Sequence, residues 1–178
     1  MSRSSEDHSL FFSSDLIILL YVDDLLLFAK DLVIIEAMKD KLLTVYHMTD
    51  LGPIRQLLGL QIVQNRTLHR IDLHQSTYIL TILWRFQLSN CKGISTPMES
   101  NAHLTPCIDD SDITNESEYQ SKIGSIMYAM LGTRPDLAYT IDILSKHNDR
   151  PTQVHHTALQ RVFRYLQQTK PTGIRFQY

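Results

Sequence analysis

The pattern of apolar and polar positions predicts strands in the first third of the chain and helices in the last third. Residues 15–21, which are apolar after Asp15, and the apolar residues 25–29 form runs too short for typical helices, so they predict two strands, each buried on both faces. We expect them to form a hairpin with its turn at residues 22–24. Residues 32–48 then carry apolar side chains at helical spacing, and Asp31 precedes them as the expected N-cap.

Further along the chain the pattern alternates between strand and helix. Residues 54–63 and 68–73 predict a second hairpin, in which Gly59 indicates a bulge or the close approach of another backbone. Residues 74–88 favour a helix. Three more helices are expected at about 118–131, 134–147 and 153–168, and a final strand is expected after them. These elements together predict an α+β fold.

Composition and charge are those of an ordinary globular protein, with one local exception. Hydrophobic residues make up 43%, charged residues 20%, and the net charge is −2, so no basic field over the whole chain indicates a nucleic-acid partner. Residues 99–118 contain six acids and no Lys or Arg, and polar residues 99–117 predict a linker. From residue 134 onward the chain contains seven Lys or Arg and only three Asp, and this local excess of positive charge is a mild indication of a surface for a polyanion.

Cysteine content and hydropathy bear on the compartment. Two cysteines make no disulfide scaffold, and residues 1–9 are polar and do not resemble a signal peptide, so we expect an intracellular, reducing compartment. The apolar stretch 16–29 is shorter than the roughly 20 residues that span a bilayer and carries two acids, so no membrane span is expected.

Those two acids, Asp23 and Asp24, are the first candidate for chemistry. Adjacent carboxylates between apolar runs repel each other and are costly to bury unless something compensates them. One interpretation is a tight turn, although tight hairpins favour a glycine that this segment lacks. The other is a bound divalent cation, since carboxylate oxygens are the ligands that Mg²⁺ prefers. The pattern alone leaves both open.

The sequence "YVDD" at 21–24 resembles the Y-x-D-D motif of reverse transcriptases. The surrounding stretches, in this order and spacing over nearly the whole chain, resemble the Pol polyprotein of copia-type LTR retrotransposons. They are "DHSLF" (7–11), "LLYVDDLLLFAKD" (19–31), "MTDLGPIRQLLGLQI" (48–62), "STPME" (95–99), "YQSKIGSIMYAMLGTRPDLAYTIDILSKH" (119–147) and "ALQRVFRYLQQTKPTGIRF" (158–176).

The resemblance implies an architecture: a partial polymerase palm of two β-hairpins with a helix, followed by a helical thumb-like region. Residues 1–98 would then be the later part of the palm and the start of the thumb, and 99–117 the acidic linker. Residues 118–170 would form the helical thumb or connection region, and 171–178 would begin a truncated segment leading to ribonuclease H.

The resemblance also implies site residues. Asp23 and Asp24 correspond to catalytic carboxylates that bind Mg²⁺, two ions in the complete site, with Asp23 expected closer to them. Tyr21 and Val22 would lie against the primer end. Leu58 and Gly59 resemble a primer-grip hairpin, where glycine allows backbone to approach a phosphate or sugar. Leu58 is equally compatible with a plain core position.

Arg161 and Arg164 are candidates for binding template or primer. They lie three residues apart on one predicted helix and could neutralise backbone phosphates. The alternative is a solvated helix face, which is what a run of charges most often forms.

The implied function is a fragment of an RNA-directed DNA polymerase that uses an RNA template, a DNA primer and dNTPs together with the remainder of Pol, and no membrane. The family site needs a third carboxylate from an earlier strand, whereas 20 residues precede Tyr21. Asp15 lies at the far end of the same predicted strand, about 20 Å away. We therefore expect the fragment to be inactive alone. The alternative is a non-enzymatic remnant that at most binds nucleic acid or a protein.

Overall fold

The computed structural model describes residues 1–100, 104–109 and 112–177. Among them the chain folds into an α+β protein that divides into two compact units, residues 1–54 and 55–178. The predicted fold class is therefore confirmed. The division falls between Ile54 and Arg55. Parts of the expected linker at 99–117 (101–103 and 110–111) lie outside the described residues, and that linker stays a prediction. The assignment of segments to palm and thumb stays a prediction.

The first unit is an antiparallel sheet with one helix. Its strands pair in chain order, so β3 (Leu16–Tyr21) and β4 (Asp24–Ala29) form the expected hairpin and β4 lies at an edge. Helix α1 (Leu32–Val45) packs against β4 and ends earlier than expected. Asp31 caps this helix by accepting a hydrogen bond from Val33 N at 2.9 Å. The elements are β1 (Ser2–Arg3), β2 (Leu10–Phe12), β3 (Leu16–Tyr21), β4 (Asp24–Ala29) and α1 (Leu32–Val45).

The prediction that the hairpin strands are buried on both faces is wrong. Burial alternates along β3: Leu16 and Ile18 are 4% and 8% exposed, whereas Ile17 between them is 44% exposed. Ile17 lies in register with Phe12 on β2 and Phe28 on β4, which are also exposed. A continuous apolar run therefore does not separate a doubly covered strand from one that is covered on a single face.

The second unit combines another antiparallel sheet, in which each strand pairs with the next along the chain, with four α-helices and a short 3-10 helix among its described residues. The expected strand 54–63 is in fact two strands, because the chain reverses at Leu58 and Gly59. The elements are β5 (Gln56–Leu57), β6 (Leu60–Asn65), β7 (Arg70–His74), α2 (Ser76–Arg85), α3 (Glu116–Gly132), a short 3-10 helix (Pro135–Leu137), α4 (Ala138–Ser145), α5 (Gln153–Gln168) and β8 (Gly173–Gln177).

The helices of this unit enclose its core. Helix α5 shows why: its apolar residues recur every three or four positions, so one face is buried while the opposite face meets solvent. Phe163 on this face is 0% exposed and meets the Phe86 ring edge-on, with ring centroids 5.3 Å apart. The core consists of Ile79, Ile82, Leu83, Tyr119, Ile123, Ile126, Leu137, Ile141, Leu144, Leu159, Val162, Phe163 and Leu166.

A buried arginine joins the turn after α3 to the end of α5. The side chain of Arg134 is 0% exposed. Its Nε and Nη2 donate to both carboxylate oxygens of Asp136 at 2.9 and 2.8 Å. Its Nη1 and Nη2 donate to the backbone carbonyl oxygen and the Oγ1 of Thr169 at 3.1 and 2.8 Å. Tyr165 completes the cluster by donating to Asp136 Oδ2 at 2.9 Å.

Strand β8 pairs with β7 and forms one edge of the sheet of the second unit. Gly173 begins it where the backbones come close: a Cβ at this position would lie 2.0 Å from the carbonyl oxygen of Leu73. Asp72 on β7 accepts from Arg175 Nε at 2.7 Å and also pairs with Arg70. The hydrogen bond from Arg175, with the charges of both arginines, holds the pKa of Asp72 below its ordinary value.

Candidate active site

The β3–β4 hairpin places the "YVDD" residues at its tip. Tyr21 pairs directly with Asp24, which leaves Val22 and Asp23 as the two turn residues. The expected turn at 22–24 is thus one residue shorter, with Asp24 already in β4. Val22 has φ of 53°, so the chain meets the geometry of a tight hairpin without glycine.

The conformation of Val22 is strained. A β-branched residue with positive φ is a genuine outlier, because its Cβ crowds the backbone. Val22 is also 79% exposed, so packing of its own side chain does not offset the cost. Strain of this kind concentrates at functional sites. It marks the turn as a candidate site independently of the aspartates.

We expect Val22→Gly to raise the free energy of unfolding of the first unit by about 0.5–1 kcal/mol. Removing the Cβ relieves roughly 1–2 kcal/mol of left-handed strain, while the freedom of glycine in the unfolded chain costs about 0.4–1 kcal/mol. Urea unfolding followed by circular dichroism measures the difference. The same change at Val33, in the first turn of α1, is the control and is expected to destabilise. A loss of stability in Val22→Gly would contradict the strain.

Asp23 and Asp24 are both exposed to solvent at this tip. The expectation that they lie in an apolar setting is therefore wrong, since the hairpin carries them beyond the apolar part of the sheet. Asp24 shares a face of the sheet with Tyr21, its direct partner.

The two carboxylates provide some, but not all, of the protein ligands that a closed site for a divalent cation would need. No group of three or more His, Cys, Asp or Glu that could hold a metal occurs among the described residues. Asp15 precedes Leu16, at the opposite end of β3 from the turn. Mg²⁺ in phosphoryl-transfer sites is typically held by one or two carboxylates with substrate phosphates, and the exposed pair provides that number of oxygen donors.

Leu58 and Gly59 form the turn between β5 and β6 in the second unit. Leu57 pairs with Leu60, and the two turn residues have φ of 50° and 78°, the pattern of a type I′ turn. Leu58 is 48% exposed, so the core interpretation of this residue is wrong. Gly59 marks a turn and not a bulge, and its close neighbour is the Tyr128 hydroxyl, not another backbone.

Arg161 and Arg164 lie on α5 and contact the segment 92–99. Arg161 Nη1 forms an ion pair with Glu99 Oε1 at 2.8 Å and its Nη2 donates to Thr96 Oγ1 at 3.0 Å. Arg164 Nε donates to the carbonyl oxygen of Lys92 at 2.9 Å. Both guanidinium groups therefore hold this segment against α5, and a phosphate would have to compete for Arg161 with a carboxylate.

Tyr128 is a neighbour of the Leu58–Gly59 turn that sequence reasoning did not single out. It is 49% exposed on α3, and its hydroxyl donates to the carbonyl oxygen of Leu58 at 3.1 Å. The two residues are 70 positions apart, so no local periodicity could have connected them. Its exposure is visible only in the structure, so the sequence offered no signal for it.

A sequence profile of the family described as reverse transcriptase (RNA-dependent DNA polymerase) matches residues 3–100. That range exceeds half of the 178 residues and includes both the β3–β4 hairpin and the Leu58–Gly59 turn. The chain belongs to this family.

Comparison with individual proteins supports the same family. The retrovirus-related Pol polyprotein from transposon TNT 1-94 of Nicotiana tabacum is 37% identical over 159 residues, which cover 86% of this chain and 12% of that polyprotein. The Pol polyprotein from transposon RE1 of Arabidopsis thaliana is 32% identical over 176 residues, 97% of this chain and 12% of the relative. An uncharacterized mitochondrial protein of Arabidopsis thaliana is 32% identical over 152 residues, 85% of this chain and 61% of the relative.

These relatives confirm the resemblance to the reverse transcriptase region of copia-type Pol, and the chain spans only 12% of the polyproteins. No solved structure matches significantly. Among the described residues, no helix is long and apolar enough to cross a bilayer.

Proposed function

We propose that this chain supplies the two-carboxylate hairpin and the primer-contacting turn of an RNA-directed DNA polymerase. The observation that carries the proposal is the strained, exposed hairpin tip, with Asp23 and Asp24 adjacent, inside the range that matches the reverse transcriptase family. A strained backbone that presents two hard oxygen ligands suits a site for metal and phosphate better than it suits a merely structural turn.

Each residue has a stated role in this proposal. Asp23 and Asp24 would hold Mg²⁺, and Asp23 is the carboxylate that we expect to be closer to the metal. Mg²⁺ held by these carboxylates would supply positive charge to activate the attacking primer hydroxyl and to stabilise the leaving pyrophosphate oxygen. Tyr21, on the same face as Asp24, and Val22 at the tip lie against the primer end. Leu58 and Gly59 present exposed backbone to the primer.

The proposed substrates are an RNA template, a DNA primer and dNTPs. The remainder of Pol provides the third carboxylate and the surfaces that hold the template and the dNTP, so the 178-residue chain is inactive alone. Arg161 and Arg164 are a secondary part of the proposal, since they can bind a phosphate only after releasing the contacts that they make with segment 92–99.

Primer extension tests the carboxylates. The chain replaces the homologous segment of the tobacco Pol polyprotein, and the unaltered polyprotein serves as positive control. We expect the 178-residue chain alone to give no extension with Mg²⁺. The double change Asp23→Asn, Asp24→Asn is expected to lower extension by the chimera about 10³-fold or more, because metal ions supply several kcal/mol of transition-state stabilisation.

Asp15→Asn is the matched control, since it removes an exposed carboxylate at the other end of β3. It is expected to leave extension unchanged. Template-dependent extension that survives the double change would refute the role of the two aspartates, and extension by the chain alone would refute its dependence on the rest of Pol.

A further inference from the structure

The turn at Leu58 and Gly59 is held in a conformation that its sequence does not favour. Type I′ turns require positive φ at both central residues, which Asn-Gly or Gly-Gly adopts readily and leucine does not. Leu58 has φ of 50° and an exposed side chain, so core packing does not compensate it. Contacts from outside the turn must fix its geometry.

Tyr128 makes such a contact. Its hydroxyl donates to the carbonyl oxygen of Leu58 at 3.1 Å, and a Cβ on Gly59 would lie 3.1 Å from the same hydroxyl oxygen. The tyrosine ring packs against Tyr78 of α2, with ring centroids 4.8 Å apart. Tyr78 in turn donates from its hydroxyl to the carbonyl oxygen of Ser125 at 2.9 Å. The turn is thereby connected to both α2 and α3.

The hydrogen bond determines where the next N–H points. The peptide group between Leu58 and Gly59 is planar and trans, so its C=O and N–H point in opposite directions. With the carbonyl directed at Tyr128, the Gly59 N–H faces away from the tyrosine. No described residue accepts a hydrogen bond from this N–H.

We propose that Tyr128 is a positioning residue that orients the Leu58–Gly59 peptide so that the Gly59 N–H donates to a backbone phosphate oxygen of the bound primer. The inference rests on the proposed function, which places the primer against this turn. Since an exposed neutral hydrogen bond contributes modestly to stability, its effect is expected in the geometry of the turn and in binding more than in folding.

The test uses the full 178-residue chain, its Tyr128→Phe variant and an RNA–DNA primer–template duplex at low salt. Amide signals are followed by ¹⁵N NMR and affinity by fluorescence anisotropy. In the unaltered chain we expect the Gly59 amide signal to shift on addition of the duplex. In Tyr128→Phe we expect this signal to move already in the free protein, its shift on binding to shrink, and affinity to fall about 3- to 10-fold.

Tyr139→Phe is the matched control, because Tyr139 is 71% exposed on α4, and it is expected to behave like the unaltered chain. Equal thermal unfolding midpoints of the variants separate positioning from a loss of structure.

If the unaltered chain binds and Tyr128→Phe keeps its affinity and Gly59 shift, the role of Tyr128 is refuted while the proposed function stands. A duplex that binds without shifting Gly59 also refutes it. An unaltered chain that does not bind the duplex refutes the contact between this chain and the primer itself.

Discussion

Replacing Arg134 with methionine is expected to lower the free energy of unfolding of the second unit by about 3–5 kcal/mol. The guanidinium group is fully buried and donates to Asp136 and Thr169, so methionine of similar length leaves the Thr169 carbonyl oxygen without this donor and Asp136 with only the hydrogen bond from Tyr165. Urea unfolding followed by circular dichroism measures the loss. Arg164→Met is the control: Arg164 is only half-buried and donates to one carbonyl oxygen, so about 1 kcal/mol or less is expected.

The same variant has a pH signature. Burial raises the pKa of Asp136, but the hydrogen bonds and charge of Arg134 outweigh that effect and hold the pKa below its ordinary value. A depressed carboxyl pKa stabilises the folded chain above the unfolded value of about 3.9, and this stability is lost as the pH falls through the folded pKa. Arg134→Met should therefore lose less stability between neutral and acidic pH than the unaltered chain. An identical pH dependence in both would contradict the ion pair.

Phe163→Ala is expected to cost about 3–5 kcal/mol through the cavity it leaves. The side chain is 0% exposed at the centre of the helical core, and the Phe86 ring would lose its edge-on neighbour. Phe176→Ala is the control for the same chemical change, since Phe176 is 53% exposed on β8, and it should cost less than about 1 kcal/mol. Equal losses in the two variants would show that the helices do not form the main core of the unit.

Local sequence patterns predicted the type and position of the helices and strands well, but they predicted poorly which faces are buried and where the chain reverses. The helical spacing after Asp31 and the strong periodicity of α5 gave the right elements, because an amphipathic helix displays its buried face in its own sequence. The apolar run around Ile17 could not show that one face of the sheet stays exposed, since burial of a face depends on whether another element of the fold packs against it. The reversal at Leu58 was missed because leucine disfavours the left-handed conformation that it adopts there.

The candidate site shows the same limit. The motif identified Asp23 and Asp24 and, by resemblance, their chemistry, but the argument that they are buried charges was wrong because a tight turn lifts them into solvent. Tyr128 was invisible to pattern reasoning, since it meets Leu58 across 70 residues. Arg161 and Arg164 were recognised as a pair, yet their partners in segment 92–99 come from a stretch without regular pattern.

The pairing of β8 with β7 sets an order of events during synthesis. Arg175 contacts Asp72 across 103 residues, so closing this sheet has to overcome the entropy of a long loop. On a ribosome, β7 emerges early and keeps an unpaired edge until residues 173–177 have followed all the helices out of the exit tunnel. The edge of β7 is thus covered only after β8 has been synthesised, and until then it is open to intermolecular strand pairing in nascent chains.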